Sequence, residues 1–126
     1  MDRLLQVAIE VDAGPRADAE ELDALTVQLQ CELQELDLEA VERVRQGQAP
    51  PGARAIDVLA LGTLLATIAR PVMLSSAVEV VRCWLSGRSQ RSVKLEIDGD
   101  VLEVTGVSTD DQRALISAWL ARNAGR

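Results

Sequence analysis

The sequence of 126 residues has no histidine, phenylalanine or tyrosine, and its aromatic residues are limited to Trp84 and Trp119. The lack of histidine excludes the serine–histidine and cysteine–histidine arrangements that activate nucleophiles, as well as zinc sites with histidine ligands. Two distant cysteines do not supply the four thiolates of a structural zinc site. Neither GxxxxGKS/T nor GxGxxG occurs, which excludes the two common phosphate-binding glycine loops. We therefore predict no catalytic residue, no cofactor and no metal ion.

The scarcity of aromatic residues means that the core must consist mainly of leucine, valine, isoleucine and alanine. A chain of this length is enough to bury such a core in one domain, which we place over 1–126. The two tryptophans are expected to anchor this core; the alternative is a role as interface hot spots, where tryptophan is enriched.

The two cysteines, Cys31 and Cys83, both fall in predicted helices and are too far apart in sequence for a CxxC pair. We expect them to be reduced residues of the core, as small apolar cysteines are in cytosolic proteins. No secretory signal pattern precedes the first strand pattern, so a cytoplasmic location is predicted.

The net charge of −7 argues against binding to nucleic acid or to an anionic membrane, because both would repel the chain. The charge is uneven along the sequence. Residues 1–46 hold twelve acidic and four basic residues, 47–94 hold two and six, and 95–126 hold six and three. The basic residues of 47–94 could pair with the acidic segments of another copy of the chain or with the acidic segments of the same chain. The sequence leaves both alternatives open.

A β-hairpin is the structural element that the sequence predicts most clearly. Residues 93–97 alternate apolar and polar side chains, the period of a half-buried strand, and Asp98-Gly99 favours a type I′ turn with positive φ at both positions. This turn pairs Ile97 with Asp100, Leu95 with Leu102, Val93 with Val104 and Lys94 with Glu103. The apolar residues then share one face, and opposite charges meet on the other.

A helix is predicted directly after the hairpin. Ser108 is placed to cap it, and Asp110 and Asp111 suit the positive end of the helix dipole. The apolar stripe of this helix is predicted to comprise Leu115, Ile116, Trp119 and Leu120.

The N-terminal part reads as a strand followed by a helix. Residues 4–11 alternate as a strand does, and Asp18 with Glu21 resembles a capping box before an amphipathic helix of about 18 residues. Residues 37–46 either continue that helix or form a second strand. We favour the strand, because a strand–helix–strand unit is compact, and its imperfect alternation indicates a bulge or a sheet edge.

The central part is predicted to be a pair of helices. The apolar run Val58–Ala69 reads as a helix that is apolar on nearly all sides, and Arg70-Pro71 ends it. A second helix is predicted over 72–86, with Gly87 as its stop. The first helix has too little polar surface for a simple two-layer monomer, which predicts self-association or a partner that covers it.

These elements predict an α+β fold with the element order β-α-β-α-α-β-β-α. The sheet is expected to be mixed and four-stranded, with the helices packed on one face.

Three segments of the chain resemble one family. They are GARAID at 52–57, VVRCWLSGR at 80–88 and SVKLEIDGDVLEVTGVSTDDQRALISAWL at 92–120. Together they are similar to the effector-associated constant component family, whose members are small invariant proteins of bacterial conflict (defence) systems encoded beside variable effectors. The resemblance implies an adaptor or regulatory role without catalytic residues of its own.

The residues themselves predict a non-enzymatic interaction module that self-associates. The resemblance implies that its partner is an effector protein encoded nearby. The residues predicted to bind partners are Leu61, Leu65, Ile68, Arg82, Trp84, Arg88 and Arg91. The basic residues around the 86–92 loop are expected to be solvated, with contact to an anion or an acidic partner as the alternative.

Two other functions are weighed against this one. A membrane-acting component would use 56–85, but its uninterrupted run, Val58–Ala69, has twelve residues, fewer than the roughly 20 that span a bilayer. A small metal-dependent enzyme would use Asp98, Asp100 and Asp111, although turn and helix-start chemistry explain all three.

Overall fold

The computed structural model of the chain describes residues 4–14, 17–43, 62–70, 72–86, 91–106 and 110–124. These residues form five strands and three helices. In chain order they are β1 (Leu5–Asp12), α1 (Ala19–Gln34), β2 (Ala40–Arg43), β3 (Thr63–Ile68), α2 (Val72–Leu85), β4 (Ser92–Ile97), β5 (Asp100–Thr105) and α3 (Asp110–Ala124).

The strands form one antiparallel sheet in the order β2-β3-β1-β4-β5. The connection through α1 joins β1 to β2 and skips over β3, while the connection through α2 joins β3 to β4 and skips over β1. Two such interlocked crossovers are the split βαβ units of ferredoxin-like folds. The hairpin strand β5 and the helix α3 extend this arrangement beyond β4.

The central strand β1 supplies the middle of the core. Its residues Val7, Ile9 and Val11 lie on the face that the helices cover, and each is at most 3% exposed. The three helices pack on this face, since their apolar residues join those of the strands in one cluster. From α1 the buried apolar residues are Leu25, Leu29 and Leu33.

The predicted start of α1 is confirmed. Asp18 is the N-cap, and its Oδ1 accepts a hydrogen bond of 2.8 Å from the backbone N–H of Glu21. This bond satisfies one of the N–H groups that a helix start leaves without an intrahelical partner.

The hairpin is also confirmed in turn and register. Asp98 and Gly99 both have positive φ, at 49° and 86°, as the type I′ turn requires. The observed cross-strand pairs include Ile97 with Asp100 and Lys94 with Glu103, as predicted. Register follows from the turn because a two-residue loop leaves no freedom to slide the strands.

The predicted helix over 58–69 is wrong for the residues that the structure describes. Thr63–Ile68 is the strand β3, which is hydrogen-bonded to β1 on one side and to β2 on the other; 58–61 lie outside the described residues. Leu64 on the helix side and Thr63 on the opposite face are both 0% exposed. The run around this strand carries no charge and no regular apolar–polar alternation, and such a run looks the same in a buried helix.

The coarse fold class is therefore confirmed as α+β, while the finer description changes. The sheet has five strands and is antiparallel, rather than four strands in a mixed sheet, and the element order is β-α-β-β-α-β-β-α. The strand predicted within 37–46 is confirmed over Ala40–Arg43, and it lies at the sheet edge, which is one of the two explanations given for its imperfect alternation.

The stripe predicted for α3 needs one correction. Leu115 is 62% exposed, whereas Ile116 and Trp119 are buried as predicted. The buried face is completed by polar residues, Gln112 and Asn123, which follow the helical spacing but are not apolar. Ser108, the predicted cap, lies outside the described residues.

Glutamine side chains bind the backbone of both edge strands. At β2, Nε2 of Gln30 donates to the carbonyl of Val41 at 3.0 Å. At β5, Gln112 uses both ends of its amide: Oε1 accepts from the N–H of Thr105 at 3.1 Å, and Nε2 donates to its carbonyl at 3.4 Å. A side-chain amide thus takes the place of a neighbouring strand at each of these points.

We expect Gly62→Ala to destabilise the fold by about 1–3 kcal/mol, because inserting atoms into a packed region strains it. A Cβ at Gly62 would lie 2.7 Å from the carbonyl oxygen of Val11 and 3.2 Å from Cδ1 of Leu22. Urea unfolding followed by circular dichroism measures the change. Gly99→Ala is the comparison: nothing lies within 4 Å of its Cβ, so only the positive φ costs stability, about 1 kcal/mol. Equal stability of Gly62→Ala and the wild type would contradict the close approach of α1 to this strand junction.

Candidate interaction site around α2

The residues predicted to bind a partner do not form one cluster. Arg82 and Trp84 lie on α2, and Arg91 precedes β4 and stacks near Trp84. Ile68 is 1% exposed in the core. Leu65 lies half-buried on the sheet face opposite the helices, since its neighbours Leu64 and Ala66 face the core. Leu61 and Arg88 lie outside the described residues.

Trp84, on α2, contacts both α1 and the residue that precedes β4. Its Nε1 donates a hydrogen bond of 3.2 Å to Oε1 of Gln28 on α1, and the guanidinium of Arg91 lies 5.8 Å from its ring centroid. The side chain is 9% exposed, so it belongs to the core and also reaches the surface. A cation at this distance from an indole is attracted by the negative face of the ring. The predicted role of Trp84 as a core anchor is therefore confirmed.

Arg82 lies on a different side of α2 from Trp84. Its Nη1 donates to Oε2 of Glu79 at 2.9 Å, an ion pair between residues three apart on the helix. Such partly exposed pairs contribute a few tenths of a kcal/mol. The pair nevertheless fixes the Glu79 carboxylate on the ridge of α2, where it borders grooves on both sides.

The first groove runs between α1 and α2 and has a volume of about 530 Å³. Its residues are Gln28 and Glu32 from α1, with Ser76, Glu79, Val80, Cys83, Trp84 and Ser86 from α2 and its end. We call this set the α1/α2 groove. Val80 and Trp84 are the apolar members and are one helical turn apart, while the carboxylates of Glu32 and Glu79 are the charged ones.

A second groove, of about 550 Å³, lies between α2 and α3. We call it the α2/α3 groove; its lining includes Arg82, Arg113, Ile116 and Leu120. The two grooves differ in charge, since Arg82 and Arg113 line this one together with Glu79, whereas the charged residues that line the α1/α2 groove are both acidic.

The basic middle of the sequence is folded beside acidic residues of the same chain. Arg70 forms an ion pair of 3.8 Å with Asp37, and Lys94 is the cross-strand neighbour of both Glu10 and Glu103. For these residues, pairing within one molecule is the alternative that the structure supports.

Asp100 holds α3 on the hairpin. Its carboxylate accepts two hydrogen bonds from Arg122, at 2.9 and 3.0 Å, and one of 2.9 Å from Nδ2 of Asn123. Its carbonyl accepts another from Nε1 of Trp119 at 2.9 Å. The hydrogen bond that the Arg122 guanidinium donates to the Asp100 carboxylate is the main reason why the pKa of Arg122 is raised. The structure thus gives Asp100 a structural role that turn chemistry alone does not suggest.

The other acids of the metal hypothesis lie at separate places. Asp98 is in the hairpin turn, and Asp111 is in the first turn of α3. Among the described residues, no group of three histidine, cysteine, aspartate or glutamate side chains is placed to hold a metal ion.

The membrane hypothesis depended on a pair of apolar helices over 56–85. The part of this segment that the structure describes contains β3, a strand between two other strands, rather than a first helix. In the described part of the chain, no helix combines the length and the apolar character that crossing a bilayer requires.

Both cysteines are exposed, so their predicted burial is wrong. Cys31 lies on the outer side of α1, and Cys83 lines the α1/α2 groove. Their helices are confirmed, but the sequence did not indicate which side each one occupies, because cysteine occurs on either side of an amphipathic helix.

Sequence reasoning missed Gln28 and Glu32, which form the α1 wall of the groove. A signal for them was present: they are four residues apart, so they share one side of α1, next to the buried stripe through Leu25 and Leu29. The sequence did not show that this side faces α2.

We expect both thiols to react in the folded protein, since both side chains are exposed. Titration with an aromatic disulfide reagent, followed by absorbance without denaturant, should give two equivalents per chain. Reaction of Cys83 only after unfolding would contradict an open α1/α2 groove; Cys31→Ser leaves Cys83 as the sole thiol and separates the two.

We expect Asp100→Ala to lower the free energy of unfolding by about 2 kcal/mol, because the amide of the fully buried Asn123 loses an ionic acceptor. Chemical denaturation followed by tryptophan fluorescence measures this change. Glu103→Gln, which removes one negative charge from an exposed position of the same strand, should cost much less. Similar losses in the two variants would show that Asp100 acts through net charge alone.

Comparison of the chain with models of known protein families, with curated proteins and with solved structures finds no match.

Proposed function

We propose that this chain is a non-enzymatic adaptor or regulatory module that binds an effector protein of a bacterial conflict system in the cytoplasm. The effector is expected to be encoded near the gene for this chain. Its docking surface is the outer side of the helical layer, centred on α2.

The observation that carries this proposal is the pair of grooves on either side of α2. Each has a volume above 500 Å³, and they share the ridge that carries Ser76 and Glu79. Arg82 lines the α2/α3 groove and Trp84 lines the α1/α2 groove, so two residues expected to contact a partner border this surface. Tryptophan and arginine are enriched among the residues that dominate binding energy at interfaces.

The class of partner comes from the resemblance to the effector-associated constant component family. One of the resembling segments, 80–88, includes the end of α2 and therefore part of the lining of both grooves. The segment 92–120 contains the hairpin and most of α3, which form the support on which α2 packs.

Self-association is the other part of the hypothesis, and the structure removes the observation that first suggested it. It was expected because a helix over 58–69 would be apolar on nearly all sides, and Thr63–Ile68 is instead a buried strand. Light scattering of the purified chain tests self-association separately from effector binding.

We expect the purified chain to bind the purified product of an adjacent effector gene with a dissociation constant in the micromolar range or tighter, as measured by isothermal titration calorimetry. Arg82→Glu should change the affinity about tenfold or more, because it reverses a charge on the α2 ridge at the edge of the interface. Its stability should change little, since the ion pair with Glu79 is partly exposed.

Arg70→Glu is the matched control. It makes the same change of charge at an exposed position before α2 that lines neither groove, so effector affinity should stay close to that of the wild type. If no adjacent gene product binds the wild-type chain at any concentration tested, the proposed function is wrong. If both variants weaken binding equally, the docking surface is not at α2.

A further inference from the structure

The α1/α2 groove is long enough to hold a short helix. It follows α2 from Ser76 to Ser86, which is about 15 Å at the rise of an α-helix, or roughly three turns. The groove opens to solvent, since Glu79, Cys83 and Ser86 on its α2 side are exposed. A docked amphipathic helix typically places anchors at i, i+4 and i+7 along such a length.

The base of the groove offers apolar contact at helical spacing. Val80 and Trp84 are one turn apart on α2, and Trp84 is held in place by its hydrogen bond to Gln28 and by Arg91 against its ring. A rigid indole with a buried body and an accessible edge is well suited to receive a leucine or methionine side chain.

The charge of the groove determines which charged side chains a helix bound there should carry. Glu32 lines it and forms no ion pair with any described residue, whereas Glu79 is partly neutralised by Arg82. The helix α1 adds Glu20, Glu21 and Asp23 and contains no lysine or arginine. Of these, Asp23 is paired with Arg43, and none of the three lines the groove, so the carboxylate that a positive side chain on a partner would meet in the groove is that of Glu32, within a wall of negative charge overall.

We propose that the α1/α2 groove binds a basic amphipathic helix of the effector protein. This inference rests on the proposed function and adds the chemistry of the partner. Two apolar residues one turn apart contact Val80 and Trp84, and a lysine or arginine that flanks them pairs with Glu32.

Other occupants fit less well. A second copy of this chain is disfavoured, since each copy carries a net charge of −7 and its helix α1 is acidic. An extended peptide that adds a strand has no place in this groove, because both of its walls are helices.

The test uses a fluorescent synthetic peptide with leucines at i, i+4 and i+7 and lysines on both sides of them. Fluorescence anisotropy measures its binding to the full chain, and the same peptide with glutamates in place of the lysines is the peptide control. We expect binding of the basic peptide alone, with affinity that falls as salt is raised.

Two variants locate the binding. Glu32→Lys should weaken it at least about fivefold, because it replaces an attractive contact with a repulsive one. Glu42→Lys makes the same change of charge on the sheet face away from the helices and should leave affinity within about twofold. Cys83→Trp adds bulk inside the groove without changing charge and should also weaken binding.

The inference is overturned if both charge variants weaken binding equally, because attraction would then come from net charge and not from the groove. It is also overturned if the wild type self-associates through a contact that Glu32→Lys abolishes. If Glu32→Lys and Cys83→Trp both bind the effector product as the wild type does, this inference fails while the proposed function stands. If the basic peptide binds as expected but no effector product binds, the groove chemistry stands and the effector role fails.

Discussion

The fold depends on the central position of β1. This strand is paired to β3 on one side and to β4 on the other, so it joins the two split βαβ units into one sheet. Its side chains on the helix side are almost fully buried, and the helices contact them as one continuous cluster. Because the neighbours of β1 come from distant parts of the sequence, the complete sheet requires both crossovers to be in place, and such non-local pairing slows folding.

Alternation and turn chemistry were sufficient to predict the parts of the fold that are local in sequence. The hairpin is the clearest case, since Asp98-Gly99 determines both the turn and the register. The start of α1 at Asp18 is another, because a cap acts within three residues. These features depend only on residues that are close together in the sequence, so they can be predicted without knowledge of how the chain packs.

What the sequence did not predict is decided by packing. The run that ends at Ile68 has no charged residue and no regular apolar–polar alternation, because β3 lies between two strands and no residue of it is fully exposed on either face. Periodicity does not distinguish a strand from a helix in that situation. The exposure of Leu115 and the burial of Asn123 likewise follow from where Asp100 holds α3.

The candidate site was predicted in part for the same reason. Arg82 and Trp84 were identified because they are close in sequence and of residue types common at interfaces. The opposite wall of the α1/α2 groove, with Gln28 and Glu32, comes from a helix more than fifty residues away. Only the packing of α1 beside α2 brings the walls together, and no pattern within either helix encodes it.

The glutamine amides at the two sheet edges have a consequence for assembly. Open edges allow sheets to join end to end, which leads to filaments and aggregates. Here Gln30 occupies a carbonyl of β2 and Gln112 occupies both backbone groups of Thr105 in β5. An incoming strand would have to displace these amides before it could pair. At these two points the amides therefore oppose the addition of a further strand to either edge of the sheet.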